Sequence, residues 1–445
     1  SPINNTEMPN EIQFRVIVGS YEHSLLCLSA RIPLIENDKD IRKPHFQTIF
    51  HFQAHSLSIR SIDIAKRYLV TGSNDEHIRI YDLQKRKELG TLLQHQGSIT
   101  KLLFSNELLN DNNKKEEDNE ENISKNETIT YPSHKSGKWL LSGSEDGNII
   151  IWRTKDWEKF GVLKGHKGAV NDISIHPTGR VAISVGVDQT VRLWNLMTAK
   201  KASSLKLRGT YTRGQEATFV KFNLSGDFFV VGFRDRLMFW NTREAKLINL
   251  LGTNKLTIMD IQFVKLDDNN EYLIIAFSNG SINLYNFNLS LFEIDDVKNI
   301  DGGNLVNIRE PDFKLLGHSS RVKGISIYQE INDGKQFNFM TSISSDGQIV
   351  IWNLDTKIMD QLAVYTTGER LNVVTTIQES VEKADTMKPI YNPELDDKLN
   401  DIATDSEYES DGESLSHIMK GRKKKLSKKK QKQERKKLLK VEIES

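Results

Sequence analysis

Short runs in which apolar and polar residues alternate recur along most of the chain. Between about residues 56 and 93 these runs are SIRSIDIA, YLVTGS and HIRIYDL, with polar residues between them. Alternation with a period of two is typical of a β-strand that buries one face. Because similar groups of runs return along the chain, the pattern predicts a repeated small antiparallel sheet.

A fixed spacing of polar and aromatic residues accompanies these runs. A His precedes a Ser or Thr, an Asp stands four residues after the hydroxyl residue, and a Trp or Tyr stands six residues after the Asp. The Asp falls in a tight turn between two runs, so each unit predicts one blade of a WD-type β-propeller. The four matches are His55/Thr71/Asp75/Tyr81, His95/Ser142/Asp146/Trp152, His166/Ser184/Asp188/Trp194 and His318/Ser342/Asp346/Trp352.

Six units follow one another along the chain. The first is predicted at 56–93. The second runs from His95 to Trp152 and contains an insertion at 106–137. The other four are predicted at 164–207, 218–241, 258–287 and 313–365. The fourth and fifth depart from the spacing: Val231 and Ile275 replace the hydroxyl residue, Asn279 replaces the Asp, and Asp235 stands five residues before Trp240. Their strand and turn rhythm survives, so both are predicted to be blades.

The two ends of the chain supply a seventh blade. Residues 370–378 have the length of one strand, and residues 14–52 contain about three more. Joining them closes the ring and removes exposed sheet edges. The predicted fold is therefore all-β: a seven-bladed WD40 β-propeller closed by N- and C-terminal strands. The predicted domains are a flexible N-terminus (1–13), the propeller (14–378, with polar, solvated insertions at 106–137 and 290–310), an acidic linker (379–419) and a basic tail (420–445) that is disordered or helical.

Charge is segregated although the whole chain carries only +1. Residues 420–445 contain thirteen Lys or Arg and three Glu, which leaves −9 on the rest of the chain. The single cysteine, Cys27, excludes an internal disulfide and fits a reducing compartment. No apolar run approaches the roughly 18 to 20 residues that span a bilayer, and the first ten residues lack the apolar core of a signal peptide. The composition indicates cytosol or nucleus.

The repeated residues have a structural and a catalytic interpretation. A buried carboxylate is tolerated when hydrogen-bond partners satisfy it, which suits a role inside each blade. A catalytic His/Asp/Ser set is needed once, whereas this set occurs four times at blade spacing, so we expect no enzyme activity. His51 and His55 lie four apart on an extended run, where side chains do not converge on a metal. The sequence DGGN at 301–304 is a turn and not a phosphate loop, and no cofactor or small-molecule substrate is expected.

Two tail segments carry candidate interaction chemistry. In the acidic stretch 394–415, Thr404, Ser406 and Ser410 each precede an acidic residue by three positions, which suits an acid-directed kinase; a solvated spacer is the alternative. The basic stretch can contact RNA phosphates or act as a nuclear or nucleolar address, or it can be a solvated extension. Its basic residues are Lys420, Arg422, Lys423, Lys424, Lys425, Lys428, Lys429, Lys430, Lys432, Arg435, Lys436, Lys437 and Lys440.

Several longer strings resemble one WD-repeat family. They include FRVIVGSYEHSLLCLS, FHFQAHSLSIRSI, KDWEKFGVLKGHKGAVNDISIHPTGRVAISVG and GERLN, together with the Lys-rich end. The family is the nucleolar one that contains the fungal "maintenance of killer" propeller and the animal PAK-interacting protein. In WD-repeat proteins the His, Asp, hydroxyl and indole groups form one hydrogen-bonded chain. The family resemblance implies a seven-bladed scaffold in large-ribosomal-subunit assembly and rRNA processing, and a second role in restraining a p21-activated kinase.

The expected function is therefore a non-catalytic nucleolar assembly factor for the large (60S) ribosomal subunit. Its partners would be the pre-60S particle, ribosome assembly proteins and ribosomal RNA, with no membrane. A signalling adaptor that negatively regulates a p21-activated kinase is the alternative, and a ubiquitin-ligase receptor is a more distant one. Arg60, Arg180 and Arg321 are candidate contacts on exposed loops.

Overall fold

Seven four-stranded antiparallel sheets form the protein. The computed structural model describes residues 10–34, 42–106, 135–209, 212, 214–288 and 309–382. Within them, blade 1 contains β4 (Ile59–Ala65), β5 (Tyr68–Ser73), β6 (Ile78–Asp82) and β7 (Lys87–Leu92); blade 2 contains β8 (Ile99–Phe104), β9 (Trp139–Ser144), β10 (Ile149–Arg153) and β11 (Glu158–Leu163); blade 3 contains β12 (Val170–Ile175), β13 (Val181–Gly186), β14 (Thr190–Asn195) and β15 (Lys200–Lys206).

The remaining sheets follow the same plan, except that blade 7 combines both ends of the chain. Blade 4 contains β16 (Phe219–Phe222), β17 (Phe228–Gly232), β18 (Arg236–Asn241) and β19 (Lys246–Gly252); blade 5 contains β20 (Ile258–Lys265), β21 (Glu271–Phe277), β22 (Ser281–Asn286) and β23 (Phe313–Leu316); blade 6 contains β24 (Val322–Asn332), β25 (Lys335–Ser344), β26 (Gln348–Asn353) and β27 (Asp360–Thr366); blade 7 contains β28 (Leu371–Gln378), β1 (Glu11–Ser20), β2 (Ser24–Pro33) and β3 (His45–Gln53). The predicted seven-bladed propeller is confirmed.

The hydrophobic core lies between the blades. Each of seven clusters of buried apolar residues joins two neighbouring sheets, such as blades 3 and 4, which meet through Val181, Ile183, Phe229 and Trp240. A single blade cannot cover both its faces, so the sheets depend on one another for burial. The innermost strand of each blade packs against those of its two neighbours, and the seven strands surround a central channel.

Blade 7 closes the ring. β1 pairs with β28 in an antiparallel register from Phe14 opposite Gln378 to Ser20 opposite Leu371. The strand begins at Glu11, earlier than the predicted boundary at residue 14, because Ile12 is fully buried in the cluster between blades 6 and 7.

The predicted acidic linker does not begin where β28 ends. Residues Glu379–Glu382 form a 3₁₀ helix on the propeller, with Val381 fully buried. Both glutamates pair with Arg15, at 2.9 and 3.1 Å, and Glu382 also pairs with Arg86 of blade 1 at 2.8 Å. We call this group the latch. Residues 383–419, the rest of that linker, lie outside the described residues.

A second difference concerns Phe313. The sequence placed it at the start of the sixth unit, but β23 pairs with β22 and completes blade 5, so the insertion near 290–310 interrupts a blade. The insertion in blade 2 lies between β8 and β9, as expected. Its end is described: Lys135 pairs with Asp63 at 2.7 Å and Gly137 N donates to Ser105 O at 2.9 Å. Most of both predicted insertions, and the predicted flexible residues 1–9, lie outside the described residues.

Candidate functional site

One end of the propeller carries all four predicted sets. The loops leading into the innermost strands supply each His, and the turns between the second and third strands of each blade supply each Asp. We call this end the His–Asp face. In blade 2, His95 Nδ1 lies 2.9 Å from Asp146, His95 Nε2 lies 2.7 Å from Ser142 Oγ, and the indole nitrogen of Trp152 donates to the same hydroxyl at 2.9 Å. The set at His166 in blade 3 brings the same groups together. In blade 1, His55 lies 2.9 Å from Asp75 and 2.8 Å from Thr71 Oγ1, and Tyr81 replaces the tryptophan.

The ionisation states give these bonds a direction. Burial opposes the charge of Asp75, but nearby His55 and backbone amides hold the pKa of that carboxyl below its usual value. Burial also lowers the pKa of His55. An ionised Asp can only accept, so Nδ1 of a neutral His donates to it, and Nε2 accepts from the hydroxyl. The same reasoning orders the set in blade 3, where the pKa of Asp188 and that of His166 are both lowered.

These groups are closed to substrates. The residues that carry the four hydroxyl groups, Thr71, Ser142, Ser184 and Ser342, are fully buried. A nucleophile must reach the atom that it attacks, so the sets act as structural hydrogen-bond chains and not as catalytic triads.

The set in blade 6 is incomplete. His318 Nε2 lies 2.6 Å from Ser342 Oγ and Trp352 donates to that oxygen at 2.8 Å, but His318 Nδ1 has no hydrogen-bond partner. Asp346 instead accepts from Ser344 Oγ, within its own turn. The sequence spacing placed Asp346 correctly and could not show which group its carboxylate contacts.

The weak blades 4 and 5 lack the hydrogen-bond chain for different reasons. Val231 offers no hydroxyl in blade 4, and the buried indole nitrogen of Trp240 has no partner. In blade 5, Asn279 replaces the turn Asp and accepts from Ser281 N at 3.0 Å, as Asp75 does from His77 N at 2.9 Å. Asn279 therefore holds the turn without a histidine.

Polar side chains link the innermost strands around the whole channel, which the repeat spacing did not predict. Each of the seven junctions between neighbouring blades has at least one link from a side chain of one blade to the next: Asp63 with Phe104 N (2.7 Å), Lys101 with Asp172 (3.2 Å), Asp172 with Val220 N (2.9 Å), Lys221 with Ile261 O (3.4 Å), Asp260 with Ile325 N (3.0 Å), Ser326 with Thr376 (2.9 Å) and Asn372 with Ile59 O (3.0 Å). The recurrence of Asp in SIDIA, VNDIS and IMDIQ was the available signal.

The predicted arginine contacts do not share one surface. Arg60 lies in β4 at the mouth of the channel on the His–Asp face, is exposed, and pairs with Glu145. Arg321 is also exposed and precedes β24 on the same face. Arg180 precedes β13 at the other end of the propeller and is half-buried. Arg60 and Arg321 therefore belong to one site and Arg180 does not.

Comparisons with known proteins identify the family. The model of the WD domain, G-beta repeat, matches residues 46–82, 129–153 and 157–195. Protein MAK11 of Saccharomyces cerevisiae is 48% identical over 436 residues, which cover 97% of this chain and 98% of that protein. The chain belongs to the MAK11 family of WD-repeat proteins. The MAK11 family also includes the p21-activated protein kinase-interacting protein 1-like protein of Gallus gallus, 31% identical over 76% of this chain and 73% of that protein. Shk1 kinase-binding protein 15 of Schizosaccharomyces pombe is 23% identical over 77% of this chain and 78% of that protein.

As a member of the MAK11 family, this propeller is a scaffold for protein interactions. WD-repeat scaffolds of this kind are generally non-catalytic. Among its described residues, no group of three or more His, Cys, Asp or Glu side chains is placed to hold a metal ion. No helix in the described ranges is long and apolar enough to cross a membrane. Burial raises the pKa of the Cys27 thiol to about 12, so the thiol is protonated. The predicted tail residues, 420–440 with Thr404, Ser406 and Ser410, lie outside the described residues of this MAK11-family chain.

Proposed function

We propose that this protein is a scaffold in assembly of the large ribosomal subunit, acting in the nucleolus. The propeller docks assembly proteins, and the basic tail contacts ribosomal RNA of the pre-60S particle. The observation that carries the proposal is the separation of charge: thirteen basic residues between 420 and 440 follow the stretch 394–415, whose nine acidic residues and one Lys carry −8 of the −9 on residues 1–419. A dense basic segment binds phosphates electrostatically, and the adjoining acidic stretch cannot, so the tail is the segment of this chain best suited to contact RNA.

The test compares three forms of the full-length tagged chain in cell extract. They are the wild type, a variant with all thirteen basic tail residues changed to Gln, and a control with the nine acidic residues of 394–415 changed to Asn or Gln. Gradient sedimentation and sequencing of crosslinked RNA are the measurements. We expect the wild type and the control to migrate with large-subunit precursors and crosslink to their RNA, and the basic-tail variant to lose those crosslinks. A slow, RNA-free wild-type peak would overturn the proposal.

A kinase-binding role is the second candidate, and the relatives' names favour it. Several are named p21-activated protein kinase-interacting protein 1 or 1-like, and one is named Shk1 kinase-binding protein 15. This role needs the propeller and not the basic tail. Binding of a p21-activated kinase regulatory segment to both the wild type and the basic-tail variant, with equal affinity, would support it. If the wild type does not bind this kinase segment, the kinase-binding role is ruled out.

A further inference from the structure

Two charged residues stand at equivalent places in the ring of innermost strands. The second residue of six of these strands is Arg60, Thr100, Asn171, Met259, Lys323 or Asn372, in blades 1, 2, 3, 5, 6 and 7. The cations therefore belong to β4 and β24, and only β28 separates these strands in the ring. Arg321 lies two residues before Lys323. Three cations thus gather on one side of the channel mouth, on the His–Asp face.

Two of these three charges have no counterion among the described residues. Arg60 pairs with Glu145, whereas no ion pair within the described part of the chain includes Arg321 or Lys323. Burial and then the positive charges of Arg321 and Arg60 lower the pKa of Lys323. Because both arginines lower the pKa of Lys323, this lysine lies in a positive electrostatic potential. A bound anion would offset that potential.

Deeper in the channel, positive and negative charges balance. Lys101, Lys135 and Lys221 face Asp63, Asp172 and Asp260, and Lys101 and Lys135 are paired directly with Asp172 and Asp63. Arg321 and Lys323, which have no counterion in the described ranges, lie at the mouth, whereas the deeper lysines face carboxylates.

The surroundings of the mouth favour a peptide over RNA. The loop that leads into β4 exposes Leu57, three residues before Arg60, and the exposed fraction of this leucine is 48%. Carboxylates of Glu22, Glu145 and Asp346 lie on neighbouring turns, so a ligand must confine its negative charge to the cations. A peptide can place a few carboxylates there, whereas a phosphate backbone carries a charge at every nucleotide. A short segment with both acidic and apolar side chains can pair with the cations and cover Leu57.

We propose that the mouth of the channel binds an acidic, leucine-containing peptide segment of a protein partner. Its carboxylates contact Arg321, Lys323 and Arg60, and its apolar side chains cover Leu57. The proposal rests on the scaffold role of the propeller, but it does not require RNA binding by the tail. The two can therefore fail separately.

The test uses a short synthetic peptide of alternating Glu and Leu with a fluorophore and a photocrosslinker. Because the basic tail also attracts such a peptide, the full chain with the thirteen tail residues changed to Gln serves as the parent protein. The variant Arg321→Glu/Lys323→Glu is compared with Lys167→Glu/Arg208→Glu, which makes the same charge change at exposed positions of the same face. Circular dichroism and thermal unfolding verify that each protein is folded. If the double variant does not fold, Arg321→Glu alone replaces it, because Arg321 is exposed.

We expect the peptide to crosslink to residues within 56–60 and 317–323. The mouth variant should bind about tenfold more weakly or worse, the loss expected when direct charge contacts are reversed, and the matched control should change affinity by less than about threefold. Equal weakening in both variants, crosslinks elsewhere, or no binding to the parent protein would overturn the proposal. Stronger crosslinking of oligouridylate than of the peptide at this mouth would also overturn it and identify a phosphate site.

Discussion

A buried hydroxyl oxygen is the centre of each complete hydrogen-bond set. Ser184 Oγ accepts from Trp194 at 2.8 Å and donates to His166 Nε2 at 2.7 Å, so both of its roles are used. Asp188 then accepts from His166, from Lys167 N and from Thr190. One carboxylate therefore fixes the loop, the turn and the histidine tautomer together.

Removing this carboxylate should destabilise the fold. For Asp188→Ala we expect a loss of about 2 to 3 kcal/mol in the free energy of unfolding, because His166 and two other donors lose their acceptor in a buried site. Asp346→Ala is the matched control, since Asp346 does not bond His318, and it should cost less than half as much. Denaturant unfolding of both variants gives the comparison. A stable Asp188→Ala protein that has lost only partner binding would contradict the structural role.

His318 should make stability depend on pH in the acidic range. Burial lowers the pKa of His318 from 6.5 to about 4, although Asp346 acts in the opposite direction. Between these values the unfolded chain binds the proton and the folded chain does not, so stability falls as pH decreases from 6.5 towards 4. His318→Gln should remove about 2 to 3 kcal/mol of that decrease. Unfolding measured at several pH values, with pH 8 as the baseline, tests this; parallel curves for the two proteins would contradict it.

The residue spacing predicted the complete hydrogen-bond sets because the hydroxyl residue, the Asp and the aromatic residue lie close together in sequence. Their spacing places them on one turn and on the two strands that it joins. It could not predict the loss of the His318–Asp346 bond. That loss depends on the rotamer of Ser344, whose hydroxyl donates to the Asp346 carboxylate. In blades 1 and 2 the equivalent hydroxyls of Ser73 and Ser144 instead accept from the backbone amide of the Asp.

At the level of one blade, apolar packing can replace the hydrogen-bond chain. Blade 4 has neither the His nor the hydroxyl group, yet its four strands pair in full. Its aromatic residues stack instead: the rings of Phe229 and Trp240 are parallel with centroids 6.1 Å apart. The strand rhythm therefore predicted the blade where the motif failed.

Two tryptophan substitutions separate packing from hydrogen bonding. Trp240→Phe removes an indole nitrogen that has no partner, whereas Trp194→Phe leaves Ser184 without its donor. Both remove the same volume from buried sites, so the packing loss is similar. We expect Trp194→Phe to cost about 1 kcal/mol more in the free energy of unfolding than Trp240→Phe. Thermal or denaturant unfolding of the two variants measures the difference, and equal losses would show that the bond is not stabilising.

In the whole molecule, the ring depends on the join between the two chain ends. The sequence predicted that blade 7 combines strands from both ends, because each end held an incomplete set. The sequence did not predict the latch, because the glutamates of ESVE look like the start of an acidic tail. Only the fold brings them to Arg15, whose side chain is 7% exposed. Ring-wide links such as Asp260 with Ile325 N also depend on neighbours distant in sequence.

The latch should contribute measurably to stability. Burial opposes the charge of Arg15, but its bonds with Glu379 and Glu382 raise its pKa. Glu379→Gln/Glu382→Gln leaves that buried charge without a counterion, so we expect a loss of about 3 kcal/mol. Glu11→Gln is the control, because Glu11 lies 3.8 Å from the half-exposed Arg31, and its loss should remain below about 1 kcal/mol. Comparable unfolding midpoints for the two variants would contradict the latch.

The register of β1 and β28 also determines how the protein responds to tension. Phe14 is paired with Gln378. The N-terminal part of β1 and the C-terminal part of β28 therefore lie at the same end of this strand pair. Pulling the termini apart therefore loads the strand pair at one end and opens its bonds successively, as a zipper opens, whereas a shear load would strain them all at once. The latch lies at that same end and must break first, so it sets the force at which the ring begins to open.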